Sequence, residues 1–248
     1  MTKRLLIGAN DFGLFNSIDR GIIRSCKEGI IKNVAVVSSG KRLPLLRNLK
    51  KTDVDLGIQL NLTKGTPVSK NGVKSLLGKE GVFLKTGREV FLNSKIKEIE
   101  KEFYAQVEKA KKTFSPKWIT CSDYLQNNPK IFGICLKIAQ QENLAMRITS
   151  DWQKNAAREK NIKTPDYFLE DFYEEPGITV PGFLKILKNL KKGTTDLSCH
   201  PGSIEKGIIE NFHYSWQREI ELSTLINKKI KTFFDEEKSI QLLKFSNI

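Results

Sequence analysis

The stretch Gly8-Ala9-Asn10-Asp11-Phe12-Gly13 follows the apolar run Leu5-Leu6-Ile7 and sets an amide beside a carboxylate at a strand-like end. A carboxylate on a small-residue turn can bind a divalent cation or move a proton, and such turns often carry active sites. Polar groups recur just after other strand-like runs: Gln59 and Asn61, Ser122 and Asp123, Arg147, and His200. Asp11, Asp123 and His200 are the groups with acid–base or ligand chemistry, and Arg147 can orient a carboxylate or an oxyanion. Asn10 cannot act as a base, because a carboxamide has no useful proton affinity near neutral pH. Each group also has a structural reading. Asp11 can cap its turn or the helix near Ser17, His200 can be a hydrogen-bonded structural histidine, and Arg147 can sit in an internal salt bridge.

The elements that must position these groups alternate between strand and helix. Short strands are expected at Arg4 to Gly8, Val34 to Val37, Asp55 to Leu62, Lys117 to Cys121, Met146 to Thr149, Thr195 to Cys199 and Ser239 to Phe245. Helical spacing covers Ser17 to Lys27, Arg42 to Leu49, Ser94 to Thr113, Pro129 to Gln141, Pro181 to Lys192 and Ser215 to Phe234. Thr63 to Gly87 reads as a long loop, and Asp151 to Gly177 as a polar, irregular segment with Trp152, Tyr167 and Tyr173 set among charges. About seven mostly parallel strands, with polar groups gathered at their carboxyl ends, predict a single-domain α/β chain over residues 1–248; the pattern favours (β/α) barrel-like closure, and an open doubly wound sheet would gather the same groups.

Bulk composition agrees with a globular chain. The 248 residues are 39% hydrophobic and 28% charged, sufficient for a sizeable core. No apolar run is long enough for a membrane span, and Asn10-Asp11 interrupts any signal-peptide core, so a cytoplasmic protein is expected. Cys26, Cys121, Cys135 and Cys199 lack C-x-x-C spacing and read as reduced, mostly buried thiols. The net charge of +14 is dispersed in short lysine pairs, which reads as a solvated surface; no nucleic-acid motif accompanies it.

Several motifs in order resemble the YdjC-like carbohydrate deacetylases, deformed barrels of glycoside hydrolase/deacetylase type that remove N-acetyl groups from sugars with a divalent metal. GANDFG resembles the family's N-A-D-D-F-G, and GIQLNLTKG at 57–65 its G-L-H-L-N-L-T-x-G. TPDYF at 164–168, containing Asp166, resembles T-P-D-x-F; LSCHPG at 197–202 resembles C-H-P-G; QREIELSTL at 217–225 resembles R-x-x-E-L-x-x-L. The resemblance implies Asn10 at the position of the base, Asp11 at that of the metal carboxylate, Gln59 at that of a ligand histidine, and His200 as general acid. WITCSDYLQNNP, aligned by Pro129, puts Ser122 and Tyr124 where histidines are expected.

With only His200 and His213 in the chain, imidazole ligands are missing from residues 59 and 122. Amide and hydroxyl oxygens with a lone carboxylate bind zinc poorly; an oxygen-only set of Asp11, Gln59 and Asp123 would hold Mg²⁺ or Ca²⁺ weakly. Two readings follow. The first is a deacetylase-family protein with a lost or impaired metal centre, a pseudoenzyme that binds a small carbohydrate or a protein partner without a cofactor. Its pocket would use Gln59, Asn61, Ser122, Asp123, Tyr124 and Asp166 for binding. The second is a working carbohydrate deacetylase or hydrolase on N-acetylated sugars, with Asp11, Asp123 and His200 as catalytic candidates and a divalent metal, Mg²⁺ or Zn²⁺. A nucleic-acid binder is a third, suggested only by charge.

Overall fold

The computed structural model describes residues 2–40 and 43–248. Its eight strands are β1 (Lys3–Phe12), β2 (Asn33–Val36), β3 (Asp55–Leu60), β4 (Trp118–Cys121), β5 (Ala145–Met146), β6 (Tyr167–Leu169), β7 (Gly193–Cys199) and β8 (Ile240–Leu243). They pair in the order β5-β4-β3-β2-β1-β7-β6, every pairing parallel, with β8 beside β1. The sheet curls into a half-barrel whose edge strands are β5 and β6. β1 is long enough for two neighbours on one side: Lys3 to Leu6 pair with β8, and Gly8 to Phe12 with β2. Asn33 joins these two neighbours. Its amide nitrogen donates to Leu243 O (3.1 Å) and its Oδ1 accepts from Phe245 N (2.9 Å).

Strand alternation sorts the side chains into two layers. Leu5, Ile7, Val34, Val36, Leu56, Ile58, Ile119, Cys121, Leu197 and Cys199 face the helices and belong to the main core. Leu6, Ala35, Trp118, Ala145, Leu243 and Phe245 form a second cluster inside the curl, where Trp118 stacks on Phe245 at 4.2 Å. Close approach there requires glycine. A Cβ on Gly57 would meet the Trp118 ring at 2.4 Å, and one on Gly8 would meet an Arg147 guanidinium nitrogen at 2.4 Å. Among the described residues no helix is long and apolar enough to cross a membrane.

The structure departs from the sequence reading in several places. β1 does not stop at Gly8 but runs through Asn10-Asp11 to Phe12, because β2 and β7 supply partners on both sides. Asp151 to Gly177 is not irregular throughout: it holds the helix Asp151–Glu159 and β6. That helix buries only Gln153 and Ala157, a face too narrow to show periodicity. Ser215 to Phe234 is two helices, Gln217–Leu225 and Lys228–Glu236, since Asn227 accepts from Lys229 N and caps the second. Short helices Gly87–Asn93 and Lys206–Asn211 add to the elements legible from spacing. Of the helix expected from Arg42 to Leu49, Arg42 lies outside the described residues; Leu43–Leu45 is a tight turn and Leu46–Leu49 a single helical turn.

Candidate functional site

Two consecutive residues of β1 would ordinarily point to opposite faces of the sheet. Leu6, Gly8 and Asn10 point inward and Leu5, Ile7 and Ala9 outward, so Asp11 should face the helices. Instead the register with β2 slips between Ala9 and Phe12, and Asp11 takes a left-handed conformation (φ 72°). This bulge turns Asp11 into the cavity beside Asn10. The cavity, of about 220 Å³, opens at the carboxyl ends of the strands.

Asp11 is buried and fully engaged. Its Oδ2 accepts from Arg218 at 2.6 Å and its Oδ1 from the Gln59 amide at 2.9 Å. Its backbone N–H donates to Gln59 Oε1 at 2.7 Å. A backbone N–H can only donate, so the Gln59 amide is oriented without ambiguity: the NH₂ group faces Asp11 and, at 3.1 Å, Ser122 Oγ. Burial pushes the Asp11 carboxyl up, but Arg218 and the hydrogen bond from Gln59 outweigh it and hold the group below its ordinary value.

These groups do not fit a divalent cation. Beside Asp11 stands a guanidinium, Gln59 turns a donor rather than an oxygen toward the carboxylate, and the Asp123 carboxylate accepts from Thr63 Oγ1. Among the described residues no three His, Cys, Asp or Glu side chains come together as a ligand set. The oxygen-only set of Asp11, Gln59 and Asp123 is therefore absent as a set of free acceptors.

Next to this cluster a buried ion pair orders the remaining polar groups. Arg147 binds Asp196 through two nitrogens, at 2.6 and 3.0 Å, and extends a third to Asn10 Oδ1 at 2.9 Å. With its oxygen held by an obligate donor, Asn10 aims its NH₂ at Ser198 Oγ (2.9 Å) and His200 Nε2 (3.3 Å). His200 Nε2 is thus an acceptor, and its proton sits on Nδ1, 4.0 Å from Glu221 Oε1. Burial, reinforced by Arg218 and Arg147, lowers the His200 pKa to about 4. Glu221 lies behind it, accepting from His200 N and from the Tyr214 hydroxyl; burial raises its carboxyl to about 8.

Asn10, Asp11, Gln59, Ser122, Asp123, Tyr124, Arg147 and His200 all line the one cavity. Asn61 and Asp166 do not. Asn61 is buried in the turn after β3, where its Oδ1 accepts from Thr63 N and Lys64 N. Asp166 precedes β6, at the amino ends of the strands, and ties Thr194 N and Arg158. Of the aromatics, Tyr173 lines the cavity; Trp152 packs edge-on against Phe132, and Tyr167 lies beneath Lys191 and Lys154.

Sequence reasoning did not name Tyr214, Asp196 or Gln126 for the site, and it met Arg218 and Glu221 only as the R-x-x-E of the 217–225 resemblance, with no role in the cavity. Arg218 and Glu221 carry a signal, since charges three apart on a helix share a face and both are buried here. Asp196 carries another, a carboxylate inside a strand. His213, distant from residues 59 and 122 in sequence, also lines the cavity.

A polar cavity at the carboxyl ends of parallel strands is the arrangement of a (β/α) barrel protein, here with the barrel half closed. Known proteins share this architecture over the full length. A crystal structure of an Enterococcus faecalis V583 protein named for cellobiose-phosphate cleavage superposes with a TM-score of 0.90, covering 100% of this chain and 99% of its own, at 23% identity. The family model for YdjC-like protein matches residues 4–236, and the chain belongs to that family. A carbohydrate deacetylase of Clostridium beijerinckii is 33% identical over 251 residues, spanning 99% of this chain and 100% of the relative. One of Thermoanaerobacter pseudethanolicus is 27% identical, spanning 98% of each.

Proposed function

We propose that this chain is a carbohydrate-binding member of the YdjC-like family in which metal-dependent hydrolysis has been lost. The observation that carries the reading is the Gln59 amide at Asp11: it donates to one carboxylate oxygen while Arg218 takes the other, so a donor stands where the resemblance expects a ligand histidine. Neither Asn10 nor His200 replaces the lost chemistry. Asn10 is an amide, and His200, with a pKa near 4 and its free lone pair against Asn10, is a poor base. Loss of a general base costs about 10²–10⁴-fold, before the loss of a metal-bound hydroxide is added. A concave site lined by amides, hydroxyls and tyrosines suits a small sugar better than a flat protein surface.

The test is calorimetric titration of Zn²⁺, Mg²⁺, Mn²⁺ and Ca²⁺ into wild type and Asp11→Ala, paired with acetate release from N-acetylglucosamine oligomers. No ion should bind at millimolar concentration and no acetate should appear, while the oligomers themselves bind. Tight, Asp11-dependent ion uptake accompanied by acetate release would overturn the reading in favour of a working deacetylase.

A further inference from the structure

The loop after β4 occupies the region where the family resemblance expects metal-binding histidines, and it has an unusual backbone. Asp123 (φ 49°) and Tyr124 (φ 52°) are consecutive non-glycine residues in the left-handed region. Such conformations persist only when the surroundings over-determine them, and they concentrate at binding sites. Here Ser122 is anchored below by Gln59, Asp123 is held by Thr63, and Leu125 is fully buried. The effect is to leave the Tyr124 side chain 45% exposed while it lines the cavity, its hydroxyl facing the Glu170 carboxylate beyond β6.

A second aromatic contributes to the same cavity. Tyr173 is 43% exposed and stacks on Tyr214 at 4.3 Å with the rings 16° apart. Tyr214 is itself fixed, by its hydroxyl to Glu221 and by its ring edge-on to His200. Tyr173 is therefore presented on a rigid base. Deeper in the wall, Gln126 is 2% exposed, yet its Oε1 has no partner among the described residues. A buried carbonyl without a donor requires an explanation, and a ligand hydroxyl or amide N–H would supply the missing hydrogen bond.

We propose that Tyr124 and Tyr173 form the aromatic walls of a sugar subsite, taking the apolar face of a pyranose ring whose polar edge reaches Gln126. The inference rests on the carbohydrate-binding reading above and gives it a recognition surface. Half-exposed tyrosines suit this role, since each offers a rigid apolar face and a polar tip at small entropic cost. The segment expected to hold a metal instead holds a ring.

The experiment measures binding of the N-acetylglucosamine disaccharide by calorimetry to wild type, Tyr124→Ala, Tyr124→Phe and Tyr173→Ala, with thermal unfolding as a check that each folds. Tyr124→Ala and Tyr173→Ala should each weaken binding by about tenfold, the scale of one aromatic contact. Tyr124→Phe, which keeps the ring face, should bind within about twofold of wild type on the same scale. Alanine variants that bind like wild type, or a phenylalanine variant as weak as the alanine one, would overturn the aromatic subsite while leaving carbohydrate binding in place. A wild type that ignores the disaccharide would sink the carbohydrate reading and the subsite with it.

Discussion

Arg147 is 2% exposed and makes two charged hydrogen bonds to an Asp196 that is fully buried. Removing one member of such a pair leaves a buried charge unpaired, so Asp196→Asn should lower unfolding stability by about 3–5 kcal/mol in urea. A result below about 1 kcal/mol would mean that water already reaches the guanidinium. His200 makes a second residue-scale claim. Its pKa falls from 6.5 to about 4 on folding because burial disfavours the imidazolium. Between these values the unfolded chain binds a proton that the native chain refuses, so stability falls as pH drops from about 6.5 to 4, by at most about 3 kcal/mol. Glu221, raised from 4.5 to about 8, has the opposite slope: the native state holds the extra proton, and stability falls as pH rises through that window. The His200 effect is therefore read as the stability of wild type minus that of His200→Asn, which should fall on acidification from about pH 6.5 to about 4 and level off below it.

At the scale of the element, β1 carries the site because it departs from regular alternation at one point and obeys it elsewhere. The bulge at Asp11 brings Asn10 and Asp11 to one face. Gly8, two residues earlier on the inward face, leaves room for the Arg147 guanidinium to pass over the strand. Gly8→Ala should cost about 1–3 kcal/mol, as overpacking does, and should displace Arg147 from Asn10. Urea unfolding gives the cost, and a changed titration of His200 by NMR would report the displacement. An alanine variant as stable as wild type would show that the sheet can open at no cost. The helix Gln217–Leu225 is the complementary element, since it sends Arg218 to Asp11 and Glu221 to His200 from one buried face.

At the scale of the whole molecule, the chain matches the YdjC-like family over residues 4–236, while the mouth of its half-barrel holds Gln59 and Ser122 where the resemblance expects histidines. That combination has a testable consequence, because Asp11, Gln59 and Ser122 already converge, with the Gln59 amide within 2.9 Å of Asp11 and 3.1 Å of Ser122. Gln59→His with Ser122→His should create a Zn²⁺ site absent from wild type, seen as a rise in melting temperature on adding Zn²⁺. Wild type should melt at the same temperature with Zn²⁺ or chelator. A double variant indifferent to zinc would show that Arg218 holds Asp11 too firmly for a cation to compete.

Much of this was legible in the chain. Apolar runs ending in Asn10, Gln59, Ser122 and His200 announce strands with polar ends, and parallel strands separated by helices must gather those ends at one pole. The missing histidines are a matter of composition, visible with no coordinates. Local pattern could not supply the partner of Arg218, which meets Asp11 from 207 residues away, or the pairing of Arg147 with Asp196 across 49. Nor could it supply the turning of Asp11, since a bulge depends on neighbouring strands for its register, or the orientation of Tyr124, whose neighbours Asp123 and Ser122 are held by Thr63 after β3 and by Gln59 on it. Side-chain alternation and helix spacing are local and can be read along the chain. Charge pairing inside a barrel is set by which strands and helices become neighbours, and only the folded sheet decides that.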